Sequence, residues 1–534
     1  MENDEKGKIG LFQMVMLGLS SLIGSGWLFG SMEASKVAGP AAIISWIIGG
    51  IVIGSIAYDY VEIGTMFPEA GGMSRYAQYS HGSLLGFIAA WANWVSLITI
   101  IPIEAVAAVQ YMSAWPWPWA KWAHSFFSNG SISGIGLGIV FAFIIVFTLI
   151  NYWSVRILTR FTSLISIFKI GTPALTIVML SISGFFPSNY GHSMHTFMPY
   201  GSAPIFAATT VAGIIFSFDA FQTVINMGSE IKRPEKNIGR AVLLSLLISG
   251  IIYVVLQSTY ITSMEPSMIS EHGWGGLNFN SPFADLAIML GLNWLSILLY
   301  MDAFVSPFGT GVSFVASAAR ALYAMESNHH IPHFIGQMNF KYGIPRAAMV
   351  VDAVLGMLMV SVFKSWATLA AVISTSTLIA YLTGPVTAVS LRKMAPDFRR
   401  PVKLKHLSWM APCSFVLASL AVYWAMWPTT IEVIIVILLG LPFYFFYEWR
   451  VRFVSVRQTL SCSVWMIVYL IFISIISWIG SAQFNGLGII HYPFDFLVVI
   501  IFSTVFYYWG VGSRKKTEDF ENAKKLNATV KMSH

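Results

Sequence analysis

Apolar residues run along the chain in stretches of about twenty, with polar residues confined to the short segments between them, which is the pattern of helices that cross a bilayer. Fourteen such runs can be read, at 11–36, 41–65, 84–113, 135–154, 159–183, 203–228, 238–263, 284–323, 347–363, 367–391, 411–427, 431–448, 461–480 and 492–512. None alternates every second residue as the strands of a membrane barrel do. The predicted fold is therefore an all-α polytopic membrane protein with about 14 transmembrane helices.

Two of these runs are interrupted at mid-depth. The first, Leu17 to Glu33, carries Gly24-Ser25-Gly26 at its centre. Glycine costs about 1 kcal/mol relative to alanine inside a helix, so two glycines around a serine weaken the continuous helix by roughly 2 kcal/mol. In hydrocarbon, a broken backbone survives only where protein, water or ligand satisfies its polar groups. The sixth run reads Phe216-Ser-Phe-Asp-Ala-Phe-Gln222, again polar in the middle of an apolar stretch. Corresponding breaks in runs one and six mark the midplane site of an inverted-repeat transporter, with halves at about 11–183 and 203–391.

The chemistry of such breaks is directional. A half-helix starting near Gly26-Trp27 turns its first N–H groups toward the gap and suits a carboxylate; the first half of run six, ending near Ile215 to Ser217, leaves carbonyls that suit an ammonium. Together they describe the backbone of an α-amino acid and say little of its side chain. The candidate substrate-contacting residues are Ile23, Gly24, Ser25, Gly26 and Trp27, with Phe216, Ser217, Phe218, Asp219, Ala220 and Phe221. Trp27 and Phe218 are candidate gating aromatics.

Composition agrees with a membrane protein: 56% of the 534 residues are hydrophobic and 10% charged, against about 25% charged in average soluble chains. The formal charge of +7 raises a nucleic-acid partner, but 27 of the 31 Lys and Arg residues fall in the termini and in loops on one side. That asymmetry sets both termini in the cytoplasm and accounts for the charge without nucleic acid. The start Met1-Glu2-Asn3-Asp4-Glu5-Lys6 is not a cleavable leader, so a multi-pass protein of the cell membrane is expected. Cys413 and Cys462 imply no disulfide framework and no metal site, and the histidines at 192/195 and 329/330/333 read as solvated loop residues.

Ionisable groups inside runs are functional candidates by default. Glu104 lies in run three, Lys169 in run five about 15 Å from its cytoplasmic end, and Asp219 beside the second break. These three are the candidate proton-coupling residues. Asp302, in the outer part of the long eighth run, is equally an interfacial carboxylate touching water; Thr310 and Ser313 of that run are expected to face an interior surface. No metal or other cofactor is implied, and neither His-Glu-x-x-His nor Gly-x-Ser-x-Gly is present, so an enzyme is not expected.

Several motifs carry a family resemblance. Gly24-Ser25-Gly26, Asn151 to Arg156 with Lys169 downstream, Phe216 to Gln222, Glu230-Ile-Lys-Arg-Pro234 through Ala241, Arg320-Ala-Leu-Tyr-Ala-Met325 and Gly343-Ile-Pro345 resemble the amino acid–polyamine–organocation (APC) superfamily of permeases. Pro102-Ile-Glu104-Ala, Gly228-Ser-Glu230 and Asp302 through Gly311 resemble its bacterial branch that includes aspartate–proton symporters. The resemblance implies a LeuT-like 5+5 inverted repeat, alternating access, and a lysine at Lys169 in the place of a sodium ion between spans one, five and eight. Glycine is usual in the family at the position of Ala220, so a blunter second break is expected here. Asp219 leaves three readings open: repelling an acidic substrate, favouring a cationic one, or titrating itself.

The expected organisation is a cytoplasmic N-terminus (1–10), a ten-helix transport core (11–391), a basic cytoplasmic link (392–410), four additional helices (411–512) and a cytoplasmic tail (513–534), disordered or interfacial. The expected function is proton-coupled amino acid symport across the bilayer, with amino acid exchange as the alternative and nutrient sensing behind it. Oligomeric state and substrate side chain are not readable from the sequence.

Overall fold

A chain in hydrocarbon must satisfy every backbone N–H and C=O internally, so long apolar runs fold as helices. The computed structural model describes residues 9–68, 72–128, 130–153, 155–226, 231–339, 344–452 and 456–524. Ser154, Gly228 to Glu230 and Gly343 of the motifs above lie outside these residues. Its principal helices are α1 (Leu11–Leu22), α2 (Gly26–Ala38), α3 (Ala42–Met66), α4 (Ser83–Met112), α5 (Gly134–Trp153), α6 (Val155–Ser183), α7 (Ala203–Val211), α8 (Ile214–Phe218) and α9 (Pro234–Ser263). They continue with α10 (Asn293–Ser327), α11 (Arg346–Val362), α12 (Trp366–Tyr381), α13 (Thr383–Met394), α14 (Leu407–Tyr423), α15 (Thr429–Leu438), α16 (Gly440–Arg452), α17 (Val456–Ile479) and α18 (Phe494–Gly512).

Each of the fourteen apolar runs carries helix. Among the described residues nine stretches, α2 and α3 counted together, are long and apolar enough to cross a membrane unaided, or ten with the bent pair of run six. Runs one and two join in one of these stretches, and α1 and α14 are shorter apolar helices. A two-stranded hairpin of β1 (Phe127–Ser128) and β2 (Ser131–Ile132) forms the described sheet, with Phe127 and Ile132 buried.

The chain is a polytopic helical membrane protein in which runs one and six are each interrupted, between α1 and α2 and between α7 and α8. At the centre stand α4 and the α12–α13 span, enclosed by protein along their apolar length. Helices α5, α9 and α18 turn exposed aliphatics such as Ile145, Leu247 and Ile501 outward, as lipid-facing spans do. Between α2 and α3, Gly39 turns at φ 63° and Pro40 opens the next turn, a position where the ring's missing N–H costs nothing.

Three sequence expectations change outside the site. His330 is buried, ringed by Phe87 and Tyr444 at 5.7 and 5.8 Å, instead of solvated. Ser313 is exposed, its hydroxyl returning 2.8 Å to the Gly309 carbonyl. The described part of the tail, to 524, packs on the helical body. Gln78 Nε2 donates to Asp519 at 2.7 Å, and Phe520 is buried against Phe67 and Phe398, ring centroids 6.4 and 5.9 Å away. An apolar residue next to a polar anchor gave the tail a face to bury, a signal hidden in a charged segment.

The basic link after α13 is folded around one carboxylate. Glu62, in the last turns of α3, accepts from Arg392 Nε at 2.7 Å and Nη2 at 2.5 Å and from the Leu404 amide at 2.9 Å; Arg400 Nε stands 3.4 Å away. Removing one partner of a buried ion pair strands the other. Glu62→Ala is therefore expected to lower stability by about 3 kcal/mol, the low end of that range because Arg392 keeps some solvent contact. Limited proteolysis of the 395–405 link in detergent, faster in the variant, checks this; an unchanged cleavage rate would show the carboxylate is not what holds the link.

Candidate functional site at the two broken spans

The first break is a real interruption of hydrogen bonding. After Ile23 donates to the Leu19 carbonyl at 2.9 Å, Gly24 turns back to the Leu22 carbonyl at 3.1 Å, and α2 starts afresh at Gly26. The carbonyls stranded at the end of α1 find side chains from elsewhere: Lys169 Nζ donates to Ser20 at 2.9 Å, and the Tyr253 hydroxyl to Leu22 at 2.7 Å. On the other side of the gap the Ser25 amide donates to both oxygens of Glu104, each at 3.2 Å. The Gly26 and Trp27 amides have no acceptor among the described residues. Trp366 Nε1 donates to Ser25 Oγ at 3.0 Å from the start of α12.

Both glycines are required by close approach. A Cβ on Gly24 would stand 2.9 Å from Glu104 Oε1, and one on Gly26 would overlap Ser217 Oγ. Gly26 is thus a point at which the two broken spans touch closely.

Lys169 sits where sequence reasoning placed it, buried and between three spans. Besides Ser20 it donates to Thr310 Oγ1 at 2.6 Å; the Thr310 hydroxyl donates to the Ser306 carbonyl at 3.0 Å, and Ser306 Oγ to Asp302 Oδ1 at 2.9 Å. A polar line therefore runs up α10 from the lysine. Asp302 is fully buried, so it is not the water-touching interfacial carboxylate that its position in the run allowed. Helix rotation, unreadable from one run alone, turned it inward.

The second break lies earlier than predicted. Helix α7 ends at Val211 and the chain bends by 55° around Gly213, which takes φ 76°, a conformation glycine adopts without cost. Phe216 to Phe218 are helical, and Asp219–Phe221 tighten into a 3₁₀ turn. Carbonyls at Ile215 to Ser217 are consequently not a loose helix end: Phe216 O accepts the Asp219 amide and Ser217 O the Tyr253 hydroxyl at 3.3 Å. The glycine missing at Ala220 is supplied upstream by geometry of a different kind, a left-handed residue at Gly213.

Asp219 is the most heavily partnered of the candidates. Oδ1 accepts from Tyr381 at 2.6 Å; Oδ2 accepts from Thr377 at 2.8 Å and Ser96 at 3.3 Å; its own carbonyl accepts a second contact from Tyr381 at 2.8 Å. The carboxylate thereby ties span six to α4 and α12. Tyr381→Phe deletes both contacts at once, and bonds to a charged group are worth about 1.5–3 kcal/mol. The variant is expected to unfold at lower temperature in detergent by that order; an unchanged melting curve would mean the contact is not held.

A cavity of about 10 Å³ lies beside the first break, bounded by Gly24, Glu104, Phe216, Asp219, Ala220 and Thr310. That is about the space of one water. Of the remaining candidates, Ile23 is buried at the turn itself and Phe221 packs on Tyr381 at 5.1 Å. The two predicted gates diverge. Trp27 stacks on Phe283 at 5.6 Å beside the break, whereas Phe218 points away from the cavity, between Trp46 and Tyr253 at 6.0 and 5.4 Å. Phe216 takes its place beside the cavity, edge-on to Trp366 at 6.0 Å.

Sequence reasoning missed Trp366, Tyr253, Tyr381, Thr377 and Ser96. For Thr377 a signal existed: Ser374-Thr-Ser-Thr377 is a polar run in an otherwise apolar span. For the aromatics there was none, because a tyrosine at helical spacing reads as core.

Two broken spans meeting at a buried polar centre, in a bundle of lipid-facing helices, define a membrane carrier. A sequence model described as amino acid permease matches residues 9–452, and the chain belongs to that family, whose members are transporters and not enzymes. It is 47% identical over 525 residues to the glutamate/serine transporter AimA of Bacillus subtilis, covering 98% of this chain and 97% of that one. It is 34% identical over 518 residues to the aspartate-proton symporter of the same organism, covering 96% and 98%, and 23% identical over 467 residues to its branched-chain amino acid permease BcaP, covering 84% and 94%.

Proposed function

We propose that this amino acid transporter works as a proton-coupled symporter of the cell membrane, with both termini cytoplasmic, moving a small amino acid by alternating access. The observation that carries the reading is the Glu104 carboxylate on the Ser25 amide, at the start of the half-helix whose Gly26 and Trp27 amides remain to receive an acceptor. A substrate carboxylate on those amides would stand beside Glu104. Two carboxylates sharing one site cannot both keep their charge cheaply, so substrate enters as Glu104 takes a proton, and the two travel together. Lys169, bonded to the Ser20 carbonyl at the end of α1 and to Thr310 on α10, holds the first break shut from the other side and is the second proton-handling group.

The closed cavity has no room for an amino acid, so substrate binding requires spans one and six to part from α4 and α12. Trp366 on Ser25 closes the outer side, and Asp219 with its three hydroxyl donors closes the inner side; in this role Asp219 is a latch and not a substrate ligand. Loss of that latch on the inner side and of Trp366 on the outer side are the two openings of the cycle. The ten helices to residue 391 form the transport unit, and 411–512 buttress it through α14 against α3. Lys169 is the one cation beside the breaks among the described residues, which suits an uncharged or acidic substrate; serine, aspartate and glutamate, the amino acids in the relatives' names, head the panel.

The test is uptake of radiolabelled amino acids into proteoliposomes with and without an imposed pH gradient. Accumulation that follows the gradient is expected. Strong trans-stimulation with no response to pH would replace symport by exchange, and binding without flux would favour a sensor.

A further inference from the structure

Phe218, aimed away from the substrate cavity, faces a different space. Between α3 and α9 lies a groove of about 440 Å³, lined by apolar side chains and open to the outside among Ile51, Leu247 and Ile251, which are 57, 61 and 58% exposed. Its floor is the Phe218 ring with Trp46 beside it. Three glycines make the slot. A Cβ on Gly54 would meet nothing within 4 Å, and one on Gly50 or Gly250 would meet only the Phe218 ring, at 3.7 Å.

We propose that this groove binds one acyl chain of a membrane lipid, seated end-on or lengthwise against Phe218. Gly50 and Gly54 lie near the middle of α3, and Gly250 near the middle of α9, so the slot is at hydrocarbon depth. Its mouth continues the lipid-facing aliphatics of both helices. The occupant is a chain and not a helix of a second copy, because a helix with side chains is about 10 Å across and cannot enter a cleft between two neighbouring helices to reach their floor.

The seat is connected to the breaks. The Phe218 ring packs edge-on to Tyr253 at 5.4 Å, and Trp46 lies 4.9 Å from the same tyrosine. The Tyr253 hydroxyl donates to the carbonyls of Leu22 and Ser217, one on each broken span. A chain in the groove therefore supports the ring that supports the residue joining both breaks. The binding site stands independently of whether the carrier is a symporter.

Photolabelling tests it. The full-length protein is reconstituted in vesicles containing phosphatidylglycerol with a mid-chain diazirine, irradiated, and its peptides are mapped by mass spectrometry. Label is expected to concentrate on peptides containing Gly50 to Gly54 and Leu246 to Gly250, above α18, an ordinary lipid-facing span. Gly54→Leu places a side chain in open space and fills the slot, so in that variant labelling of the groove should fall to the level of α18. Should the leucine impair folding, Gly54→Ala is read in the same way, and the wild-type comparison needs no variant. Equal labelling of groove and α18 in the wild type, groove labelling untouched by Gly54→Leu in protein that elutes normally, or cross-links from the groove to a second copy of the chain would each overturn the proposal.

Discussion

Lys169→Ala is expected to transport substrate without concentrating it. The lysine's ammonium closes the first break by bonding the stranded Ser20 carbonyl and fastens it to Thr310 on α10. Alanine leaves that buried carbonyl unpaired at a cost of about 1–3 kcal/mol and removes the group proposed to handle the proton. A gradient of about one pH unit stores about 1.4 kcal/mol per proton, or about tenfold accumulation. The wild type should approach that ratio and the variant should stop near equality. Lys169→Arg sharpens the result, since a guanidinium keeps the charge and does not release a proton; binding should survive and accumulation should not. Accumulation that still follows the pH gradient in Lys169→Ala would remove the lysine from the coupling.

Gly26→Leu is expected to abolish uptake. The first Cβ already overlaps Ser217 Oγ and stands 3.2 Å from Ser217 Cβ and 3.5 Å from its Cα, so relief requires moving the backbone of span six and not merely turning a hydroxyl. Overpacking a tight contact costs about 1–3 kcal/mol, occasionally more, and here the cost falls on a close contact between the two broken spans. Uptake at background with retained folding, judged by size-exclusion elution and thermal unfolding, is the predicted outcome. Gly26→Ala should show the same defect in milder form, and Ser217→Gly in the leucine background should return part of the activity. Normal uptake by folded Gly26→Leu would place substrate elsewhere.

The two breaks were not equally readable. At the first, Gly24-Ser25-Gly26 announces itself because glycine in a membrane span is costly unless a close approach needs it, and both glycines do make one, to Glu104 and Ser217. At the second, the polar residues at Ser217 and Asp219 drew attention to the wrong turn. The chain bends at Gly213, a single glycine in an apolar stretch; Ser217 returns its hydroxyl to the Gly213 carbonyl, and Asp219 serves contacts to α4 and α12. Polarity marks where a span has partners; only a backbone angle marks where it breaks.

The gating residues show the same limit. Trp27 and Phe218 are alike in kind and in burial, yet one packs beside the break on Phe283 and the other turns away from it, between Trp46 and Tyr253. Helical phase decides, at about 100° per residue, and a break of uncertain position leaves the phase of the next helix uncertain too.

By itself the sequence determined that this protein is a polytopic helical bundle with a broken first span and buried ionisable groups at Glu104, Lys169 and Asp219. These are consequences of local chemistry: run length, the price of glycine, and the cost of charge in hydrocarbon each act on a residue and its near neighbours. Tertiary structure alone decided which of those groups meet. Glu104 reaches Ser25 across 79 residues of chain and Trp366 reaches it across 341, while Asp219 finds its donors 123 and 158 residues away. Such meetings depend on how helices cross and rotate against one another, and that is set by the packing of whole faces, which no single run contains.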